Sequence, residues 1–489
     1  MKRDHGDNHE IEHPRGANAD REHERAEIDA ALIAVTPIDG RYRARTRSLA
    51  AYFSEFALIR YRVRVEIEWL AWMAQRGEFG AIPHDAETLR RLRAIASEFA
   101  IADARRVKEL EAQTNHDVKA VEYFLKERIA ALDLGVPVEM VHFACTSEDI
   151  NNLAYALILK DFAGKELEPA IARLIGRIAA MARALKDVAM VARTHGQNAT
   201  PTTMGKELAV FAARLERQRR LLAAQEYLGK FNGSVGNFNS HRVACPEVDW
   251  LDHSRGFVES LGLTWNPLTT QIESHDFIAE MLDTLARIDS VMLDFARDMW
   301  GYVSLGYFAQ RPVAGETGSS VMPHKVNPID FENCEGNLGL ASATFVHLAG
   351  KLPVSRWQRD LSDSTAIRGV GTAMGHLMVA IASAERGMGK LEIDEHRIAA
   401  DLAADHAWEV LAEAVQTVMR RHGLEDPYER LKALTRGKAI GREQMAGFIA
   451  ALDLPAEVKR ELERLTPRGY VGLAAELVER YTPAGPNKR

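Results

Sequence analysis

Apolar residues recur at three- and four-residue steps through the middle of this chain. Between Asp276 and Trp300 there is no glycine or proline, and Phe277, Met281, Leu285, Ile288, Met292, Phe295 and Met299 fall on one side of a helix. Lys206 to Leu228 repeats the pattern with Leu208, Phe211, Leu215 and Leu222. A third stretch, Asn152 to Val191, is rich in Ala and Leu and is interrupted only by Gly164, Pro169 and Gly176. Helices this long cannot bury their own apolar stripe, so the pattern predicts an all-α fold built on a helix bundle. One segment reads two ways. From Arg60 to Trp69 polar and apolar residues alternate strictly, as in a strand. Ile59, Val63, Ile67 and Leu70 also make a helical stripe, and no breaker lies between Ala57 and Arg76, which predicts helix.

Short loops dense in Gly, Asn, Thr, Ser and His separate these stretches: Thr114 to Asp117, Cys145 to Asp149, Arg193 to Gln197, Asn232 to Asn237, and residues 315–333. Thr114, Asn115, Thr146 and Ser147 are good helix caps, which is the plain reading of any one loop. Five such loops carrying histidines and repeated amides point instead to a shared polar site on a helical frame. Residues 315–333 are the most informative. Two glycines, paired serines and two X-Pro steps exclude helix, and a long unstructured loop is usually functional. Ser319, Ser320, Lys325, Asn327 and Asn333 supply hydroxyl, ammonium and amide donors, the set that suits an anion gaining charge during a reaction.

Composition narrows the classes. A chain of 489 residues exceeds one compact domain. Its net charge of −7 argues against a nucleic-acid partner. No apolar run reaches the ~20 residues of a membrane span. Three cysteines in no metal-like spacing (Cys145, Cys245, Cys334) fit a reducing cytoplasm. Residues 1–31 are charged and poor in large apolar side chains, so a disordered tail is expected there. The expected division is an N-terminal helical domain over 32–136, a central bundle over 137–388, and a C-terminal helical domain over 389–489.

Gly318-Ser319-Ser320-Val321-Met322-Pro323-His324-Lys325-Val326-Asn327-Pro328 resembles the signature loop of the fumarase/aspartase superfamily, whose members release fumarate from substituted succinates. The residue before the lysine, His324, is similar to that of the adenylosuccinate lyases. So are Pro37 to Tyr42, Thr114 to Tyr123, Thr146 to Asn152, and Lys351 to Asp360 with Asp363-Ser364-Thr365, most closely in the bacterial branch that includes the enterobacterial enzyme. The resemblance runs from about Leu32 to about Leu477.

The resemblance implies a role for each matching residue. His195 is the general acid toward the departing nitrogen, and Ser319 the general base at the succinyl carbon. Lys325 and Asn327 hold the carboxylate that becomes the aci-carboxylate, and Glu332 orients His195. His116 is the second histidine of the site, near the substrate phosphate. Arg41, Tyr42, Asn115, Asp117, Thr146, Ser147, Gln271, Ser320, Asn333, Arg359, Ser364 and Arg368 match substrate-contacting positions. No metal and no organic cofactor are implied, and the architecture implied is a three-domain fold completed in a homotetramer, with several subunits at each site.

A histidine suits the acid role by its ordinary pKa. A serine base needs its hydroxyl made far more acidic, and the residues alone would nominate a histidine as base. Two departures from the family stand out. Asn198 occupies the place of a common proline, which frees φ and restores an N–H next to His195. Val321 replaces a common threonine. The alternatives are another fumarate-releasing lyase or a non-catalytic scaffold on the same fold.

Overall fold

A computed structural model of the chain describes residues 28–80, 82–312, 322, 326–435 and 440–483. Residues 28–32 are already helical, and residues 1–27 of the expected tail lie outside the described residues. The ambiguous alternating segment is helix. Glu55–Arg76 runs unbroken for 22 residues, with the Ser54 hydroxyl accepting the Ala57 N–H at its start and left-handed Gly77 (φ 68°) ending it. Ile59, Val63, Ile67 and Leu70 are buried, but so are Tyr61, Val65 and Trp69. This helix is covered on most sides, which is why a two-residue period could coexist with the helical one.

Ser147–Phe162, a π turn at Ala163–Leu167 and Glu168–Ala184 form one continuous helical run. The wider turn comes just before Pro169, whose ring cannot join the regular hydrogen-bond ladder. The run stops at Ala184, short of the expected Val191. Ala189–Thr194 instead pairs antiparallel with Gln197–Thr203 as a hairpin. The next helix is Met204–Ala223, and Leu228–Gly229 leaves it to pair in parallel with Thr264–Trp265. A third two-stranded pair joins Phe308–Gln310 to Leu391–Ile393. These short pairs sit on a frame that is otherwise helical.

The bundle comprises Met204–Ala223, Asp276–Ser304, Ile329–Lys351 and Val370–Lys390, each packed on the next, with Glu168–Ala184 against the first. Ring contacts Phe211–Phe295 (5.5 Å) and Phe295–Phe331 (6.2 Å) tie three of these helices together. Two glycines set how closely they approach. A Cβ on Gly205 would lie 2.3 Å from the Ala182 carbonyl oxygen, and one on Gly387 would lie 2.9 Å from the Phe331 ring. Residues 362–390 are long and apolar enough by composition to cross a membrane. Here Ala373, Met374, Leu377, Ala380 and Ile381 are buried in the main core instead.

That core gathers apolar side chains from Leu49 to Ala407 and takes in Val478 from the last helix, Ala474–Tyr481. A separate core of Leu411, Val415, Met419, Leu431, Ile440, Met445, Ile449, Leu452, Leu454 and Leu462 lies between. The chain thus leaves the large core, builds a small one, and returns.

Candidate active site

Helix starts and ends supply most of the polar groups. Ile101–Thr114 ends on Asn115 in the left-handed region (φ 50°), and Asp117–Leu132 begins at once with His116 as its cap. The His116 Nδ1 accepts the Lys119 N–H at 3.2 Å, which leaves the ring's proton on Nε2, facing outward as a donor. Asp117, first residue of that helix, receives two arginines. Arg62 Nη2 donates to Asp117 Oδ2 at 2.8 Å while Arg62 Nε donates to Asn151 Oδ1 at 2.8 Å. Arg368 Nη2 donates to the same Asp117 oxygen at 3.1 Å, and its Nη1 to Glu55 at 3.0 Å. Burial pushes the Asp117 carboxyl up, but Arg62 and then Arg368 outweigh it and hold the group below its ordinary pKa.

Thr146 opens the next helix, its N–H donating to Asp149 at 2.9 Å. Ser147 and Glu148 follow in the first turn, where backbone N–H groups favour acidic side chains. Glu148 accepts from Arg359 Nη1 at 2.6 Å, and Arg359 Nη2 lies 3.8 Å from Asp363. His275 Nε2 is 3.3 Å from the other Asp363 oxygen. Burial, opposed by Arg359, leaves Glu148 above its ordinary pKa, whereas Asp363 is pushed up by burial but held below by His275 and Arg359. The donor atoms of Glu148, His275 and Asp363 lie within 4.8 Å of one another, a spacing a metal ion could use. The Arg359 guanidinium already supplies the positive charge there, so the group reads as an ion-pair network. Two of its buried atoms, Arg359 Nε and Asp363 Oδ1, have no hydrogen-bond partner among the described residues.

Beside this network, Lys230 and Asp149 form a fully buried ion pair at 2.9 Å, and Asp149 also accepts the Asn232 N–H at 3.0 Å, pinning the loop 232–237. Gln271 is tied to that loop and to the arginine segment, through Ser234 O at 2.9 Å and Gln358 O at 3.3 Å. A second group lies where the N-terminal turn meets the bundle. Asn333 Nδ2 donates to the Tyr42 hydroxyl at 3.0 Å, and Ser383 donates to Asn333 Oδ1 at 2.7 Å. Hydrogen bonding from Asn337 and Asn333, with the charges of Arg41 and Arg45, lowers the Tyr42 pKa against its burial. Between the two groups a cavity of about 340 Å³ is lined by Asp39, Arg43, Glu55, Arg368 and Thr372 among others.

The third group is the hairpin. Thr194 faces Gln197 across a two-residue turn in which His195 (φ 54°) and Gly196 (φ 75°) are both left-handed, the geometry of a tight β-turn of the primed kind. His195 is exposed at the tip. Asn198 faces Arg193, one step from the turn-closing pair. Pairs alternate along an antiparallel ladder, so this position does not exchange hydrogen bonds, and the ladder does not need the N–H that Asn198 restores.

Residues 40–341 match the profile of the lyase family, and residues 355–471 that of the adenylosuccinate lyase C-terminal family. The adenylosuccinate lyase of Vibrio cholerae is 54% identical over 454 residues, covering 92% of this chain and 99% of the relative. That of Escherichia coli K12 is 52% identical over 452 residues, with the same coverage. The chain belongs to the adenylosuccinate lyase family. Among solved structures, the 3-carboxy-cis,cis-muconate lactonizing enzyme of Pseudomonas putida superposes with a TM-score of 0.72 at 22% identity, over 90% of this chain and 98% of that one. A fumarate lyase of Mesorhizobium gives 0.71 at 21%, over 89% and 97%. These establish that the fold is shared with both.

Within one chain of this adenylosuccinate lyase relative, the expected site residues fall into three places. Asn115, His116, Asp117, Thr146, Ser147, Gln271, Arg359, Ser364 and Arg368 belong to the first group, Arg41, Tyr42 and Asn333 to the second, and His195 stands alone at the hairpin tip. Ser319, Ser320 and Lys325 lie outside the described residues; Asn327 is half-buried just ahead of the helix Ile329–Lys351. Glu332 does not meet His195 within the chain. It is exposed and accepts from the Trp300 indole at 3.2 Å. The sequence reading passed over Arg62, Glu148, Asp149, Lys230, His275 and Asp363. For Arg62 a signal existed. It falls on the same stripe as Ile59, Val63 and Glu66, and a charge on a buried stripe must have a partner.

Proposed function

We propose that this chain eliminates fumarate from adenylosuccinate to leave AMP, and acts likewise on succinylaminoimidazole carboxamide ribotide in purine biosynthesis. The observation that carries this reading is the 52–54% identity to adenylosuccinate lyases along almost their whole length. In the reaction, Ser319 removes the proton from the succinyl carbon next to the carboxylate that Lys325 and Asn327 hold. The electron pair moves into that carboxylate as the aci form, then becomes the new C=C bond as the C–N bond breaks. His195 delivers a proton to the departing nitrogen. Stabilising the doubly charged intermediate is the largest demand, and fixed donors in a dry site meet it best. A well-placed acid adds roughly 10²–10⁴-fold.

The arginines take the fixed charges. Arg41, Arg359 and Arg368 suit a phosphate and two carboxylates by paired N–H contacts. His116, whose Nδ1 is taken by the Lys119 N–H, suits the phosphate through its Nε2–H. Before substrate arrives, Arg359 and Arg368 are occupied by Glu148, Asp363, Glu55 and Asp117. A polyanionic ligand therefore needs further cations, and we infer that other copies in a homotetramer supply them. His195 and Glu332, apart in one chain, would then meet between chains. Free Cys145, Cys245 and Cys334 fit a cytoplasmic setting.

The test is to supply adenylosuccinate, argininosuccinate and malate in turn and to follow fumarate and AMP. Turnover of adenylosuccinate alone supports the reading. Turnover of another substrate in its place, or none by the folded assembly, rejects it in favour of a different lyase or a scaffold.

A further inference from the structure

The hairpin that presents His195 is packed in the apolar core at its base, through Ala189, Met190 and Val191, but its exposed tip end is held by other means. Between its second strand and the C-terminal segment lies a cavity of about 830 Å³ lined by Gly196, Gln197, Asn198, Thr200, Glu409 and Glu413. The restraint is polar and sits at the root of the tip. Arg193, two residues before His195, donates from Nη1 to the Tyr307 hydroxyl at 3.1 Å. That hydroxyl donates to Asp401 Oδ2 at 2.9 Å, and Arg193 Nη2 lies 3.7 Å from the same oxygen. Asp401 is anchored in turn by Arg397 at 3.3 Å. The Arg193 guanidinium also lies over the Tyr307 ring, 5.7 Å from its centre.

Tyr307 is fully buried, its ring stacked on Tyr302 with the planes 10° apart. It immediately precedes the strand Phe308–Gln310, through which the chain passes toward residues 315–333. Its carbonyl accepts the Asp394 N–H at 2.9 Å, so the strand pair and the helix Glu395–Ala403 that bears Asp401 are fixed to it as well. One hydroxyl thus joins the tip end of the hairpin, the strand leading to the signature segment, and a helix of the C-terminal region.

We propose that Tyr307 and Asp401 are positioning residues for the elimination: through Arg193 they set where the hairpin holds the His195 imidazole. This rests on the reading of His195 as the acid. A group that must meet a departing nitrogen within hydrogen-bond reach is sensitive to displacement, and an error of about 1 Å can cost up to ~10²-fold in rate. Tyr307 is fully buried, and it bonds to the hairpin through Arg193. Its loss should change the rate of the chemical step and leave binding alone.

The experiment compares Tyr307→Phe, Asp401→Asn and Arg193→Gln in the full-length assembly, each alone and combined with His195→Ala, using adenylosuccinate. Tyr307→Phe keeps the stacked ring and removes only the bridging oxygen, and Arg193→Gln alters a partly exposed side chain should the buried variants fold poorly. The expected result is a loss of about tenfold in kcat with KM within about twofold, and no further loss in the His195→Ala background. An equal loss in both backgrounds would show a general structural role and overturn the proposal. Normal kcat in Tyr307→Phe and Arg193→Gln, with His195→Ala crippled, would overturn it while sparing the acid assignment. Near-normal turnover by His195→Ala would instead reject the acid assignment, and the positioning role with it.

Discussion

Arg359 and His195 stand in opposite physical conditions. Arg359 is nearly buried, its side chain 12% exposed, and is gripped by Glu148 and Asp363 within its own chain. His195 projects from a two-residue turn, exposed, beside an open cavity. The first is part of a buried ion-pair network, because charges inside a low-dielectric frame must find partners locally or the fold is destabilised. The second, under the proposed reaction, is the proton donor. A proton donor has to reach an atom of the substrate, so it cannot be saturated by its own chain, and its precision must come from what holds the hairpin. On the proposed roles, exposure falls to the reacting group and the binding charges are held in place beforehand.

The contrast breaks most visibly at the reacting groups. His195→Ala should cut kcat by roughly 10²–10⁴-fold in steady-state assays on adenylosuccinate, with an unchanged thermal midpoint, since an exposed side chain contributes little to packing. Ser319→Ala should match it. A rate within threefold of the parent for either would show that the role belongs to another group.

Arg359→Met tests the other side. It leaves Glu148 and Asp363 buried without their cation, so it should cost about 3–5 kcal/mol of stability in denaturant titrations. It should also raise KM roughly tenfold or more, as a charged hydrogen bond to substrate is lost. Loss of rate with neither effect would mean that Arg359 serves the chemistry and not the frame. Opposite outcomes for His195 and Arg359, rate without stability against stability with KM, are what the comparison demands.

A smaller effect concerns pH. The folded pKa values of Asp117 and Asp363 lie below the ordinary carboxylate range, near 3.9. A depressed carboxyl stabilises the fold above its unfolded pKa, and that contribution fades as pH falls through the folded value. Glu148 is raised, so it has the opposite sign and favours the fold as it takes up its proton. Asp117→Asn should therefore lower stability near neutrality and flatten the loss below about pH 4, measured by unfolding midpoints across pH. An unchanged acid slope would show that Arg62 and Arg368 do not depend on that carboxylate.

The same contrast explains what could be read from the chain beforehand. The bundle was legible because Phe277 to Met299 repeats the helical period over about six turns, and no local signal competes with it. The hairpin was not. Val188 to Ala192 is a short apolar run without a breaker, and such a run looks alike as a helix end or a strand; only Gly196 marks the turn. At the site, long motifs delivered Asp117, Arg359, Arg368 and the Tyr42–Asn333 pair to neighbouring surfaces. The residues beneath them, Arg62, His275 and Asp363, escaped because support is set by burial and three-dimensional partners, and single residues carry no spacing rule for it. The separation of Glu332 from His195 is a fact of geometry that one sequence cannot express.

Asn198 offers the finest test of how the hairpin is held. If the tip were restrained by its own ladder, putting proline at this place would matter, since proline removes an N–H. The pairing argues otherwise. Asn198 faces Arg193 at a position that does not exchange hydrogen bonds, and a two-stranded hairpin has only edge strands, where proline is tolerated. Asn198→Pro should shift stability by no more than about 0.5 kcal/mol and kcat by less than about twofold. A large loss of kcat at constant stability would show that the second strand, and not the Arg193 side of the hairpin, fixes the imidazole. A small change beside a tenfold loss in Tyr307→Phe would assign the hairpin's precision to the Arg193 anchor beside its turn.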